Sequence, residues 1–131
     1  MTLERRPSPG RIAVAIVLGW LATTSVVVAL ATSFWLFAGR EAIDPSAPGF
    51  RTMLIIELIV SGLAGGIGGW IAARLSDSRP WSGTLGLVIV MVVLAFPTSL
   101  AESTSMPLWD LVLLPLVGIV GVLAGGAWRA R

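Results

Sequence analysis

Few side chains in this sequence can do chemistry, and Glu57 is the first of them. It stands in the stretch MLIIELIV, with apolar residues on both sides. An ionised carboxylate in such a run is costly unless it is paired, hydrogen-bonded or protonated. Three roles are open to it. It binds or relays a proton or cation, it pairs with Arg40 or Arg51 or bonds a backbone carbonyl, or it faces another subunit. At 100° per residue Ser61 shares its helical stripe. Asp110 is the second acid at the edge of an apolar run, directly after Pro107-Leu108-Trp109. An acid in a first helical turn offsets the positive end of the helix dipole, which suffices to explain it. Glu57, Ser61 and Asp110 are therefore the candidate ion, proton or polar-contact residues.

The missing residue types narrow the chemistry further. The chain has no Cys, His, Lys or Tyr, and all nine of its cations are Arg. Thiol nucleophiles, disulfides and Cys-ligated metals are excluded, as are the usual imidazole ligands and bases. Ser nucleophiles remain, but no His or Lys is there to activate one. Neither an enzyme nor a metal or other cofactor is expected. The net charge is only +2. The chain is basic because no side chain titrates between carboxylate and guanidinium, and a nucleic-acid partner is not implied.

The elements that must position these residues are long apolar runs. Of the 131 residues 56% are hydrophobic and 12% charged, against about 25% charged in a soluble domain. Four runs, at about 12–37, 53–75, 83–101 and 108–128, each match the roughly 20 residues needed to cross hydrocarbon. Turn chemistry separates the first two, in Asp44-Pro45 and Ala47-Pro48-Gly49. The other connections are short, which makes successive helices antiparallel neighbours. The expected fold is an all-α membrane protein, a single transmembrane domain over residues 1–131, built as an up-down-up-down four-helix bundle. Arg5, Arg6 and Arg11 before the first run, with Ala29-Leu30-Ala31 inside it, imitate a cleavable signal. The run continues to Phe37, longer than a signal core, so a retained helix is expected.

Charge sets the orientation. Arg5, Arg6, Arg11, Arg74, Arg79, Arg129 and Arg131 belong to one side of an even-numbered bundle, and only Arg40 and Arg51 to the other. The positive-inside rule then places both termini in the cytoplasm. Trp70, Trp81 and Trp128 fall near the inner boundary and Trp35 and Trp109 near the outer, where indole is favoured. Trp20 lies about 12 Å beyond Ile12 along a helix, as a packing or lipid-facing ring.

Small residues set the packing. On the second run Glu57, Ser61, Ala64, Gly68 and Ala72 form one stripe, and Gly62, Gly66, Gly69 and Ala73 a second. Ile59, Leu63 and Ile67 belong to a third face, toward lipid. Small residues spaced by four let helix backbones approach in a bilayer. Gly62, Gly65, Gly66, Gly68 and Gly69, with Gly118, Gly121 and Gly125 on the fourth run, are the candidate packing positions. Leu63-Ala64-Gly65-Gly66 recurs as Leu123-Ala124-Gly125-Gly126, which a duplicated hairpin and a shared packing demand explain equally well. Pro97 and Pro115 each leave a carbonyl without its helical donor, and Thr98 and Ser99 are placed to satisfy such groups.

Glu57, the glycines of 65–69, Ala72-Ala73-Arg74 and Leu108-Trp109 resemble small uncharacterised four-helix bacterial integral membrane proteins. The likeness covers about a third of the chain. It implies the helix count and a bacterial cytoplasmic (inner) membrane, and no activity. The pattern of small multidrug pumps, with a carboxylate in the first helix, is not present. The small faces point to a non-catalytic accessory or assembly subunit, or to a homo-oligomer, with the lipid bilayer and other transmembrane helices as partners. The alternative is a small carrier or channel for protons, cations or a small solute that uses Glu57.

Overall fold

The computed structural model describes residues 8–39, 44–76, 79–102 and 107–131, with backbone alone for Glu102. They form four α-helices: α1 (Pro9–Ala38), α2 (Phe50–Leu75), α3 (Pro80–Glu102) and α4 (Leu108–Ala130). The helices hold 30, 26, 23 and 23 residues. At 1.5 Å per residue each exceeds the roughly 30 Å of a hydrocarbon core. All four are long and apolar enough to cross a membrane, the architecture of a multi-pass membrane protein.

Three helices begin about three residues earlier than hydropathy predicts. Their first turns are built from Pro9-Gly10-Arg11, Phe50-Arg51-Thr52 and Pro80-Trp81-Ser82, which apolar counting passes over. Proline suits a first turn, because its missing N–H has no intrahelical acceptor there. At its other end α1 stops at Gly39, whose φ of 56° is cheap only for glycine; its N–H donates to the Trp35 carbonyl. Arg5, Arg6, Arg40 and Glu41 lie outside the described residues.

The connection into α2 is organised by Asp44. Its Oδ1 accepts the Ser46 backbone N–H at 2.9 Å and the Ser46 hydroxyl at 2.6 Å. This turn closes through a side chain instead of a backbone ladder. Both bonds favour the ionised form, the hydroxyl more, and hold the Asp44 carboxyl below its usual range.

Both α2 and α3 touch every other helix, whereas α1 and α4 do not meet among the described residues. Six of the eight buried α2 residues are small: Ala64, Gly65, Gly68, Gly69, Ala72 and Ala73. Burial here therefore brings backbone against backbone. On the α4 side, Gly65 abuts the Gly118 carbonyl and Gly69 abuts Val122, where an added Cβ would lie 2.8 Å from the Val122 Cα. Reciprocally, Gly121 fits over Gly62 and Gly125 over Gly66, a Cβ on Gly125 falling 2.8 Å from the Gly66 carbonyl carbon. On the α1 side, Gly19 crosses Gly68 and Ala72, and a Cβ on Gly19 would meet the Gly68 carbonyl at 2.9 Å. Gly68 thus serves α1 while Gly62, Gly65, Gly66 and Gly69 serve α4.

Aliphatic side chains complete the interior at one level. Ala72, Leu87 and Val122 form a small fully buried cluster, and Trp20, Val88 and Met91 pack against it. Trp20 is a packing ring. Ile59, Leu63 and Ile67 are exposed, at 58%, 63% and 45%, which in lipid is no penalty. The Arg74 guanidinium sits 5.0 Å from the Trp70 ring centre, a cation–π contact at the end of α2.

The seam yields a paired prediction. Gly125→Ala forces backbone against backbone and is expected to cost about 1–3 kcal/mol. Gly66→Ala meets only the Gly121 carbonyl, at 3.7 Å, and is expected to be neutral within about 0.5 kcal/mol. Reversible unfolding in lipid bicelles compares the two. In the loop, Ser46→Ala is expected to raise the Asp44 pKa, read by carboxyl NMR titration. The sign follows from linkage: this turn is favoured above the unfolded pKa of Asp44 and loses that support as pH falls through the lowered folded value.

Candidate functional site

Two cavities flank the α2–α4 seam where α2 and α4 begin and α1 and α3 end. The first, about 220 Å³, is a wedge between α1 and α2 lined by Val27, Phe34, Trp35, Phe50 and Glu57, among others. Its origin is the tight crossing at Gly19–Gly68. Beyond Thr23 the α1 wall of the wedge is built of Val27, Leu30 and Phe34, among others. The second cavity, about 130 Å³, lies between α3 and α4. Thr98 and Ser99 of α3 and Asp110, Leu111 and Pro115 of α4 line it. Ser61 and Leu114 belong to the walls of both.

Ser61 is thus the residue that joins the two sites. Its hydroxyl donates across the seam to the Leu114 carbonyl at 3.3 Å. Gly118 makes the approach possible, since a Cβ there would stand 3.1 Å from the Ser61 Oγ and 3.1 Å from the Met91 methyl. The helical wheel groups Ser61 with Gly68; the structure separates them, Ser61 toward α4 and Gly68 toward α1.

The two acids exchange the places expected from sequence. Glu57, which the helical wheel groups with the small-residue stripe of Ser61, Ala64 and Gly68, is exposed on the wall of the wedge. Asp110, expected as an ordinary first-turn acid, is only 3% exposed, and its Oδ1 is sealed from solvent. The reason is tertiary. Glu57 precedes the glycine crossing and faces the region where α1 has diverged. Asp110 shares a cavity wall with Thr98 and Ser99 of α3. Of the two arginines considered as partners for Glu57, Arg51 is exposed in the first turn of α2, and Arg40 lies outside the described residues. Ile56 and Val60 also line the wedge.

One helix-internal proline, Pro115, borders the second cavity, and the other, Pro97, directly precedes its wall residue Thr98. Pro115 has no N–H for the Leu111 carbonyl; Pro97 has none for that of Val93. The Thr98 hydroxyl instead reaches the carbonyls of Ala95 at 2.9 Å and Leu94 at 3.3 Å. Thr98 and Ser99 are the site residues that sequence reasoning left in a purely structural role. Their signal is a Pro-Thr-Ser break in an otherwise apolar run. Among the described residues no three of His, Cys, Asp and Glu gather as a metal cluster.

No family model, no curated protein and no solved structure matches this chain.

The bond across the seam sets a modest expectation. Ser61→Ala is expected to lower stability by about 0.6 kcal/mol, the usual scale of interhelical hydrogen bonds in bilayers. Unfolding in bicelles measures it. A loss above about 2 kcal/mol would show that Ser61 supports more than this bond.

Proposed function

We propose that this is a non-catalytic protein of the bacterial cytoplasmic membrane that binds a proton, cation or small solute at Glu57 and passes it across. Both termini are cytoplasmic in this reading, and the helices run up-down-up-down. The observation that carries the functional reading is the position of Glu57. Among the described residues it is the one carboxylate on the wall of an open, mostly apolar wedge between α1 and α2. An acid inside a membrane-spanning helix marks a solute or ion path by default.

Two observations support the orientation. Residue numbers rise together across the α2–α4 seam, from Gly65–Gly118 to Gly69–Val122, and run oppositely where Gly19 meets Ala72 while Phe34 and Met53 share a cavity. The arginines at the start of α1, the α2–α3 turn and the end of α4 then share one side.

The second reading is an accessory or assembly subunit, or a homo-oligomer. The glycine faces that suggested it pack within the chain itself. What favours it now is α3, of whose central span only 11% is buried and whose Leu85, Ile89, Val93 and Phe96 are exposed. Neighbouring transmembrane helices would dock there.

The absence of native cysteine makes orientation simple to test. Ser46→Cys is expected to react with a membrane-impermeant maleimide in intact cells, and Ala130→Cys only after permeabilisation. The reverse pattern would overturn the topology. For function, proteoliposome flux of protons, alkali cations and small amines is compared between the native chain and Glu57→Gln. The variant is expected to lose most of the flux; equal flux, or none in either, removes the carrier reading. Native mass spectrometry from mild detergent then decides the second reading, which a strictly monomeric chain would count against.

A further inference from the structure

The face of the α2–α4 pair turned away from α3 offers a surface of different chemistry from the Glu57 wedge. We infer that it holds an anionic phospholipid, with the phosphate at Arg74 and Trp128 and an acyl chain in the trough between the two helices.

Three features converge on this. First, the packing brings Arg74 and Trp128 together. Residue numbers rise in step along the seam, where Gly69 abuts Val122. Arg74 stands five residues past Gly69 and Trp128 six past Val122, so their levels differ by about 1.5 Å along the pair. On the other side α3 packs over both helices, Gly83 fitting against Ala72 and Thr84 against Gly126. Arg74 is two residues beyond Ala72, and Trp128 two beyond Gly126. Two residues turn a helix by about 160°, taken the short way. Both side chains therefore stand on the face that α3 leaves open. Arg74 is exposed, and Trp128 is 78% exposed.

Second, the pair presents donors suited to phosphate. The Arg74 guanidinium lies 5.0 Å from the Trp70 ring centre, a contact that restrains it without supplying an oxygen acceptor to its N–H groups. A planar guanidinium engages two phosphate oxygens at once, and the Trp128 indole adds one N–H donor. An Arg in a last turn also offsets the helix dipole, and a Trp is favoured at a membrane boundary. Neither of those roles calls for the two at one level on one face.

Third, the surroundings choose a lipid of net negative charge. Leu63 and Ile67 are exposed on the Arg74 side of α2, and Val120 and Ala124 lead up to Trp128 at steps of four on α4. Between these rows Gly66 leaves room, since an added Cβ there meets only the Gly121 carbonyl, at 3.7 Å. An acyl chain fills such a trough; an acidic peptide would use the arginine and leave the trough unfilled. In sequence, the start of α1, the α2–α3 connection and the end of α4, with their flanks, carry seven of the nine Arg and two acids, Glu4 and Asp77. That excess attracts anionic headgroups and repels the cation of a choline headgroup. The inference uses neither Glu57 nor the direction of insertion, because headgroups border the helices at both ends.

The test is native mass spectrometry of the full chain, released from nanodiscs made of equal parts phosphatidylglycerol and phosphatidylcholine. Phosphatidylglycerol is expected to be retained several-fold over phosphatidylcholine, one copy per chain surviving longest as collision energy rises. Arg74→Gln is expected to lower that retention several-fold. Trp128→Leu is expected to lower it as well, which keeps the inference testable if Arg74→Gln disturbs the end of α2. Arg79→Gln removes the same charge at the start of α3 and is expected to leave retention unchanged. The inference is overturned by equal retention of the two lipids, or by retention that survives both Arg74→Gln and Trp128→Leu. It is also overturned by equal losses in Arg74→Gln and Arg79→Gln, the mark of a diffuse basic surface, or by a dimer that retains no lipid.

Discussion

The constraint beneath the whole structure is that lipid gives helices no hydrophobic reason to associate. Apolar side chains are as well solvated by acyl chains as by each other, so packing must come from close van der Waals contact. This chain obtains it by removing side chains where α2 meets its neighbours. Carbonyls of α4 rest where the β-carbons of Gly65 and Gly69 would be, and carbonyls of α2 occupy the equivalent space at Gly121 and Gly125. The contact is reciprocal along the seam, which fixes the register of α2 on α4 to one helical turn. Every other placement, including the reach of Ser61 to Leu114, follows from that register.

The same solvent governs the polar atoms. A hydroxyl in hydrocarbon needs an acceptor, and the nearest is its own helix one turn back. Thr23 donates to Gly19, Ser76 to Ala72 and Thr84 to Pro80, at 2.9, 2.7 and 2.9 Å. These three make packing surface out of polar residues. Gly68 fits over Thr23, Gly83 against Ser76 and Gly126 against Thr84, so each satisfied hydroxyl is paired with a glycine on the opposing helix. Ser61 differs because its bond leaves its own helix and crosses the seam. It is also the hydroxyl at which the close packing gives way to cavities.

The sequence makes the helices legible because twenty apolar residues in a row have few other uses, and their ends are misjudged only where prolines and polar residues build the first turn. The glycines announce close packing, and the run of small residues on α2 announces that it is central. Which helix each glycine meets is not legible. Gly65 and Gly68 are three residues apart and belong to different interfaces, a matter of crossing angle and not of composition. The two acids show the limit most clearly. Glu57 sits among apolar neighbours in sequence and is exposed; Asp110 sits beside a loop and is buried. Burial of a side chain on a helix depends on what stands opposite. Asp110 shares a cavity with Thr98 and Ser99 of α3, and Glu57 a wedge with Phe34 and Val27 of α1.

The interfaces also differ in what they allow to move. The α2–α4 seam is backbone on backbone, so sliding or tilting one helix against the other collides carbonyls with Cα atoms at every glycine pair. The contact of α1 is of another kind. It rests on α2 through the Gly19–Gly68 crossing and on α3 where Ile16 meets Gly86, and α1 touches α4 nowhere among the described residues. The wedge lies in that missing interface, with Leu114 of α4 at its inner wall and Trp35 of α1 among the residues across it. The fold thus divides into a pair, α2 and α4, locked backbone on backbone, and a helix, α1, whose side-chain packing leaves the wedge beside Glu57.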